Sequence, residues 1–143
     1  MIDTDNLNEA RKLIEAEAKQ GKPVVRGKSI DFNRIILENK KVGMLILDHR
    51  DKKDKLKQRD SGLNHVLAEI ARKNNITLAF DIDEFKIEDK KEKAKILSRW
   101  IHNIKLAKKA GNKIRLLNYK DKKEAFSFLT SLGLDTKKAE EAL

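Results

Sequence analysis

Val42-Gly43-Met44-Leu45-Ile46-Leu47 is a nearly continuous apolar run that ends abruptly at Asp48. Such a short run without polar alternation suits a strand covered on both faces, as in a parallel sheet. Parallel neighbours need helical crossovers, so the flanking sequence should alternate between helix and strand. It does. Upstream, Asn6 to Gln20 carries Leu7, Ala10, Leu13, Ile14 and Ala18 on one helical face, and Gly21 stops it. Pro23-Val24-Val25-Arg26 reads as a short strand. Ser29 or Asp31 can cap a helix bearing Ile30, Ile35, Ile36 and Leu37.

Downstream, Asp48 to Asp60 is polar and mostly charged. Ser61 is then expected to cap a helix whose inner face holds Leu63, Val66, Leu67, Ile70 and Ala71. Ile76 to Phe80 is a third strand. A long helix spans about Glu88 to Ala110, with Leu97, Trp100, Ile101, Ile104 and Ala107 at helical spacing and Gly111 as its C-terminal cap. Lys113 to Leu117 is a fourth strand, followed by helices over Lys122 to Ser131 and Thr136 to Leu143, broken at Gly133. The expected fold class is α/β, with a mostly parallel sheet of about four strands flanked by helices, in one domain over 1–143. A full eight-stranded barrel usually takes about 250 residues. The 143 residues here predict part of one.

Composition narrows the function. Charged residues make up 39% of the chain, and 33 Lys plus Arg against 23 acids leave a net charge of +10. That excess favours polyanionic partners such as nucleic acid. The absence of cysteine excludes a disulfide framework, a thiolate zinc site and a cysteine nucleophile. No apolar run approaches the roughly 18 residues of a spanning helix, and Met1 to Asp5 lacks the pattern of a secretory signal. A cytoplasmic protein without a membrane partner is expected.

Sites in α/β sheets gather at the carboxyl ends of the strands, here Arg26-Gly27-Lys28, Asp48-His49-Arg50, Asp81-Ile82-Asp83 and Asn118-Tyr119-Lys120. The second opens a run dense in cations, Arg50, Lys52, Lys53, Lys55, Lys57 and Arg59. The run reads either as a solvated loop or as a phosphate-binding surface beside a helix N-terminus. Arg26, Lys28, Lys108, Lys109, Lys113 and Arg115 complete the candidate RNA-binding set. Phosphate contacts are expected to outnumber base contacts, because lysine predominates over arginine and no pattern suits base-edge readout. Asp48, His49 and Asp81 admit a second reading, a small metal-dependent phosphoesterase. Trp100, Phe126 and Leu129 read as packing, and only Tyr119 is placed among basic residues like a base-stacking side chain.

The segment Arg59-Asp60-Ser61-Gly62-Leu63-Asn64-His65-Val66-Leu67-Ala68 resembles the signature of ribonuclease P protein component 3, the archaeal and eukaryotic subunit related to the polymerase-and-histidinol-phosphatase barrels. Val42 to His49, Asn74 to Phe80, the basic stretch Ser98 to Lys109 and Leu132-Gly133-Leu134 extend the resemblance, which covers about Val25 to Leu143. Family members usually carry one or two further strands ahead of the region matching Asn6. The barrel is therefore expected to be incomplete, or completed by another chain. Asn118-Tyr119-Lys120 also replaces the small-residue turn common after the fourth strand.

The resemblance implies a TIM-barrel-like fold and a non-catalytic subunit of ribonuclease P. It would stabilise the catalytic RNA, with its Mg²⁺, for removal of the 5′ leader from precursor tRNA. No cofactor or metal bound by this chain is implied. Implied partners are the ribonuclease P RNA, precursor tRNA at most peripherally, and a small ferredoxin-like protein subunit, with which it would form a heterotetramer. Arg59, Asp60, Ser61, Gly62, Asn64 and His65 would form an assembly surface toward RNA or that subunit.

Overall fold

The computed structural model describes residues 1–50, 52 and 60–143. Four strands, β1 (Val24–Arg26), β2 (Met44–Leu47), β3 (Thr77–Asp81) and β4 (Ile114–Leu117), form one sheet in the order β1-β2-β3-β4, every pair parallel. Sequential order throughout is the order of a barrel wall rather than of a doubly wound sheet. Six helices accompany it among the described residues: α1 (Leu7–Ala18), α2 (Ile30–Leu37), α3 (His65–Lys73), α4 (Lys90–Ala110), α5 (Lys122–Ser131) and α6 (Thr136–Glu141).

The register sets the two faces of the sheet. Val25, Leu45, Leu47, Leu78, Phe80, Ile114 and Leu116 join the helices' apolar residues in one core cluster. Arg26, Ile46, Ala79 and Arg115 share a row across all four strands and, by the pleat, face the other side. Trp100 is fully buried and tilted against Phe80 at 5.1 Å between ring centroids. It is a core residue, as its helical position predicts.

Helix ends follow local chemistry. Asn6, Ser29, Asp89, Asp121 and Asp135 each accept a first-turn N–H, and Gly111 closes α4 in the left-handed region at φ 78°. One cap differs from expectation. Asn64, not Ser61, caps α3, its side-chain oxygen accepting from Leu67 N–H at 2.9 Å. Ser61 is buried, and its hydroxyl donates to the Leu63 carbonyl at 3.1 Å. With the helix starting at His65, Val66 turns outward and is 41% exposed, while Leu63 and Leu67 point in. Ile82–Phe85 forms a 3-10 helix that the sequence pattern does not announce, because four residues carry too little periodicity.

Both sheet edges are partly closed. Ile2 lies parallel beside β1, donating to the Val24 carbonyl and accepting from Arg26 N–H, each at 2.8 Å. At the far edge Leu116 N–H donates to the Ala142 carbonyl at the end of α6, also at 2.8 Å. Ladder groups that would otherwise template aggregation are thus satisfied in part.

Candidate nucleic-acid interface

Two regions hold the candidate cations, at opposite ends of the strands. At the carboxyl ends Arg26, Lys28 and Arg50 are matched by acids, and Lys52 by a backbone carbonyl. Arg26 lies 3.6 Å from Asp3 and 3.6 Å from Asp81. Lys28 reaches Asp3 at 2.5 Å and Asp5 at 3.6 Å. Arg50 grips Asp48 through two side-chain bonds of 3.1 Å, and Lys52 donates its ammonium to the Lys28 carbonyl at 2.5 Å. Asp81 also accepts from Asn118 at 2.9 Å. The hydrogen bond from Lys28 holds the Asp3 pKa below its usual 3.8. Burial pushes the Asp48 pKa up, but bonds from the Arg50 side chain and backbone, with the charges of Arg50 and Arg26, outweigh it and leave it below 3.8. Among the described residues, Asp3, Asp48 and Asp81 with Arg26, Lys28 and Arg50 make an alternating charge network at this end of the sheet.

A buried polar layer supports that network. His49 is fully enclosed, stacked on Phe80, and its Nδ1 meets Glu84 Oε2 at 3.0 Å. Trp100 Nε1 donates to the same oxygen at 3.0 Å. Arg99, 2% exposed, donates to the His49 carbonyl at 3.1 Å and the Lys52 carbonyl at 2.7 Å. The three residues of the phosphoesterase reading therefore face separate partners: Asp48 holds Arg50, His49 holds Glu84, and Asp81 holds Asn118 and Arg26. Among the described residues no three His, Asp or Glu side chains converge on a possible metal position.

The signature segment is tied to this scaffold from both sides. Asn33 donates to the Gly62 carbonyl at 2.8 Å and accepts from Lys28 N–H at 2.7 Å. Asn103 donates to the Ser61 carbonyl at 2.9 Å. Gly62 sits at φ 75°, and a Cβ there would meet Asn33 Nδ2 at 3.1 Å. This glycine permits the close approach of the Asn33 side chain. Asn64 is half-buried and used in capping, and His65 is exposed. Asp60 is half-buried. Lys53, Lys55, Lys57 and Arg59 lie outside the described residues, and so does the expected Asp60–Arg59 contact.

The amino-end region is different. The C-terminal turns of α3 and α4 form an open groove of about 940 Å³ lined by Glu69, Arg72, Lys73, Lys108, Lys109 and Gly111. Gly111 is shared with an adjoining cavity of about 400 Å³ that adds Lys113, Arg115, Lys138 and one acid, Glu141. All these cations but the half-buried Lys138 are exposed. Their local cause is simple: cations favour helix C-termini, where the macrodipole is negative. Two helix ends converging at the start of β3 and β4 then gather those cations into one surface. Sequence reading found Lys108, Lys109, Lys113 and Arg115 but missed Arg72, Lys73 and Lys138. The missing signal is tertiary, the pairing of α3 with α4.

A sequential parallel sheet with helical crossovers, an ion-paired carboxyl end and a cationic groove at the amino end defines a basic, barrel-type α/β protein. Among proteins of known identity, the chain is similar to ribonuclease P protein component 3. It is 30% identical to that protein from Methanococcus maripaludis over 109 residues, 76% of this chain and 44% of the relative. It is 29% identical to the one from Methanococcoides burtonii over 126 residues, 83% of this chain and 49% of the relative. The chain thus spans about half the length of these curated relatives. Among solved structures, 99% of the chain superposes on 62% of a chain in a cryo-EM structure of archaeal ribonuclease P with mature tRNA, with a TM-score of 0.78 at 23% identity. That likeness establishes the fold. No family model matches the chain.

Proposed function

We propose that this chain is an RNA-binding subunit of a ribonuclease P-type ribonucleoprotein, one unit over 1–143 acting in the cytoplasm in tRNA processing. The observation that carries the proposal is the amino-end groove. Arg72, Lys73, Lys108 and Lys109 are brought together there against one acid, in a chain similar to ribonuclease P protein component 3. Clustered cations of this kind neutralise phosphates and release counterions without reading sequence. Lys113, Arg115 and Lys138 extend the track. Chemistry in such a particle rests with the RNA and its Mg²⁺. The chain's part is to offset phosphate repulsion in the folded RNA. Protein partners in the particle include a small ferredoxin-like subunit, in a heterotetramer with this chain, and precursor tRNA is contacted at most peripherally.

The phosphoesterase alternative is disfavoured by the engagement of Asp48, His49 and Asp81 with Arg50, Glu84 and Asn118. Reconstitution of RNA-dependent 5′ processing of precursor tRNA, with and without this chain, tests the proposal. Loss of processing on omission is expected. Unchanged processing would overturn it, as would phosphoester hydrolysis by the isolated chain with added divalent metal.

A further inference from the structure

The chain carries an apolar groove on the side away from the basic track, between the 3-10 helix and the start of α5. Its volume is about 490 Å³ and its walls include Ile82, Phe85, Tyr119 and Phe128. These four are half-buried, and they stand over buried Leu116 and Ala125. Lys86, Asn118, Lys120, Asp121 and Glu124 are exposed at the rim, and Asp83 is half-buried with its Oδ1 enclosed. Small-ligand sites place a few polar groups inside to orient the ligand. Here the enclosed Asp83 Oδ1 is held by Lys86 at 2.9 Å, so apolar contact dominates the groove. Three acids stand at the rim against two lysines, in a chain whose net charge is +10, and Lys86 is engaged by Asp83 at 2.9 Å. Within the lining, acids thus outnumber lysines in a chain that is cationic as a whole.

We infer that this groove docks a protein segment presenting an aromatic or aliphatic side chain next to a lysine or arginine. The apolar side chain would enter between Phe85, Tyr119 and Phe128. The flanking cation would meet Asp121 and Glu124, which also suit the N-terminus of α5. Buried aromatic anchors ringed by complementary charge are the usual source of affinity in such interfaces. The inference goes beyond RNA binding and does not depend on it, because the two surfaces share no residue.

The structure also supplies a reporter. Trp100, the one tryptophan of the chain, lies 5.0 Å from the Phe85 ring and 5.9 Å from the Phe128 ring. Random peptides displayed on phage and selected against the full chain are expected to converge on an apolar residue flanked by Lys or Arg. Synthetic copies should shift Trp100 emission. Their binding should fall about tenfold with Tyr119→Ala and with Glu124→Lys, as for loss of one good anchor contact, and should be unaffected by Lys108→Ala with Lys109→Ala. Glu124 is exposed, so the charge reversal decides the matter even if Tyr119→Ala impairs folding. The inference is overturned by any of four results: no enriched peptide, acidic flanks in the enriched peptides, equal binding to Glu124→Lys, or displacement of the peptide by an oligouridylate. Self-association of the chain that Glu124→Lys abolishes would likewise overturn it, assigning the groove to a second copy.

Discussion

Glu84 is the side chain on which the carboxyl-end scaffold turns. It holds His49 Nδ1 at 3.0 Å and Trp100 Nε1 at 3.0 Å, with all three residues buried. Against a carboxylate both nitrogens must donate. Glu84→Ala would orphan two buried side-chain donors at about 1–3 kcal/mol each, so urea unfolding should show a loss of roughly 2–6 kcal/mol. The signature segment divides at the same scale. Asn64→Ala removes the cap of α3 and should cost about 1 kcal/mol. Gly62→Ala forces a side chain into the left-handed region and toward Asn33, and should cost about 1–3 kcal/mol in the same measurement. The importance of this segment is legible in the sequence, but its orientation is not. Asn33 and Asn103, which fix it, lie 29 and 42 residues from the carbonyls they hold.

At the scale of elements, the four strands and the six helices are readable because apolar runs and helical stripes mark them and caps end them. What escapes is non-periodic: the bridge at Ile2, the 3-10 helix and the shift of the α3 cap by three residues. The carboxyl-end ion pairs also escape, because Asp3 and Asp81 are far in sequence from Arg26. These pairs set an acid limit. The Asp3 and Asp48 pKa values are both lowered from 3.8, so their contribution to stability is present above that pH and is lost as pH falls through the lower folded values. Thermal melts should therefore drop below about pH 4, and Asp48→Asn should flatten that part of the profile. An unchanged profile in Asp48→Asn would mean that the Arg50 contact adds nothing.

At the scale of the whole molecule, the class was legible from alternation and charge, whereas the placement of charge was not. The rule that sites gather at carboxyl strand ends directed attention to Arg26, Lys28 and Arg50, and these are matched by acids. Arg72, Lys73, Lys108 and Lys109 collect at the other end, where helix C-termini converge. Among the described residues, the sheet edges are closed in part, by Ile2 and Ala142. The isolated chain should therefore be poorly soluble or oligomeric and should gain stability with the ferredoxin-like partner proposed above. An unfolding midpoint that does not move on adding that partner would count against this. The most direct test of the central claim is the salt dependence of binding to ribonuclease P RNA. Replacing Arg72, Lys73, Lys108 and Lys109 by Ala should flatten the slope of log K against log salt by about 0.7–0.9 per lost phosphate contact. Lys28→Ala should leave the slope unchanged, and replacing Lys52, Lys53, Lys55 and Lys57 reads the charged run separately. A slope unaltered by the groove substitutions would contradict the account and leave those cations as helix-end charges in solvent.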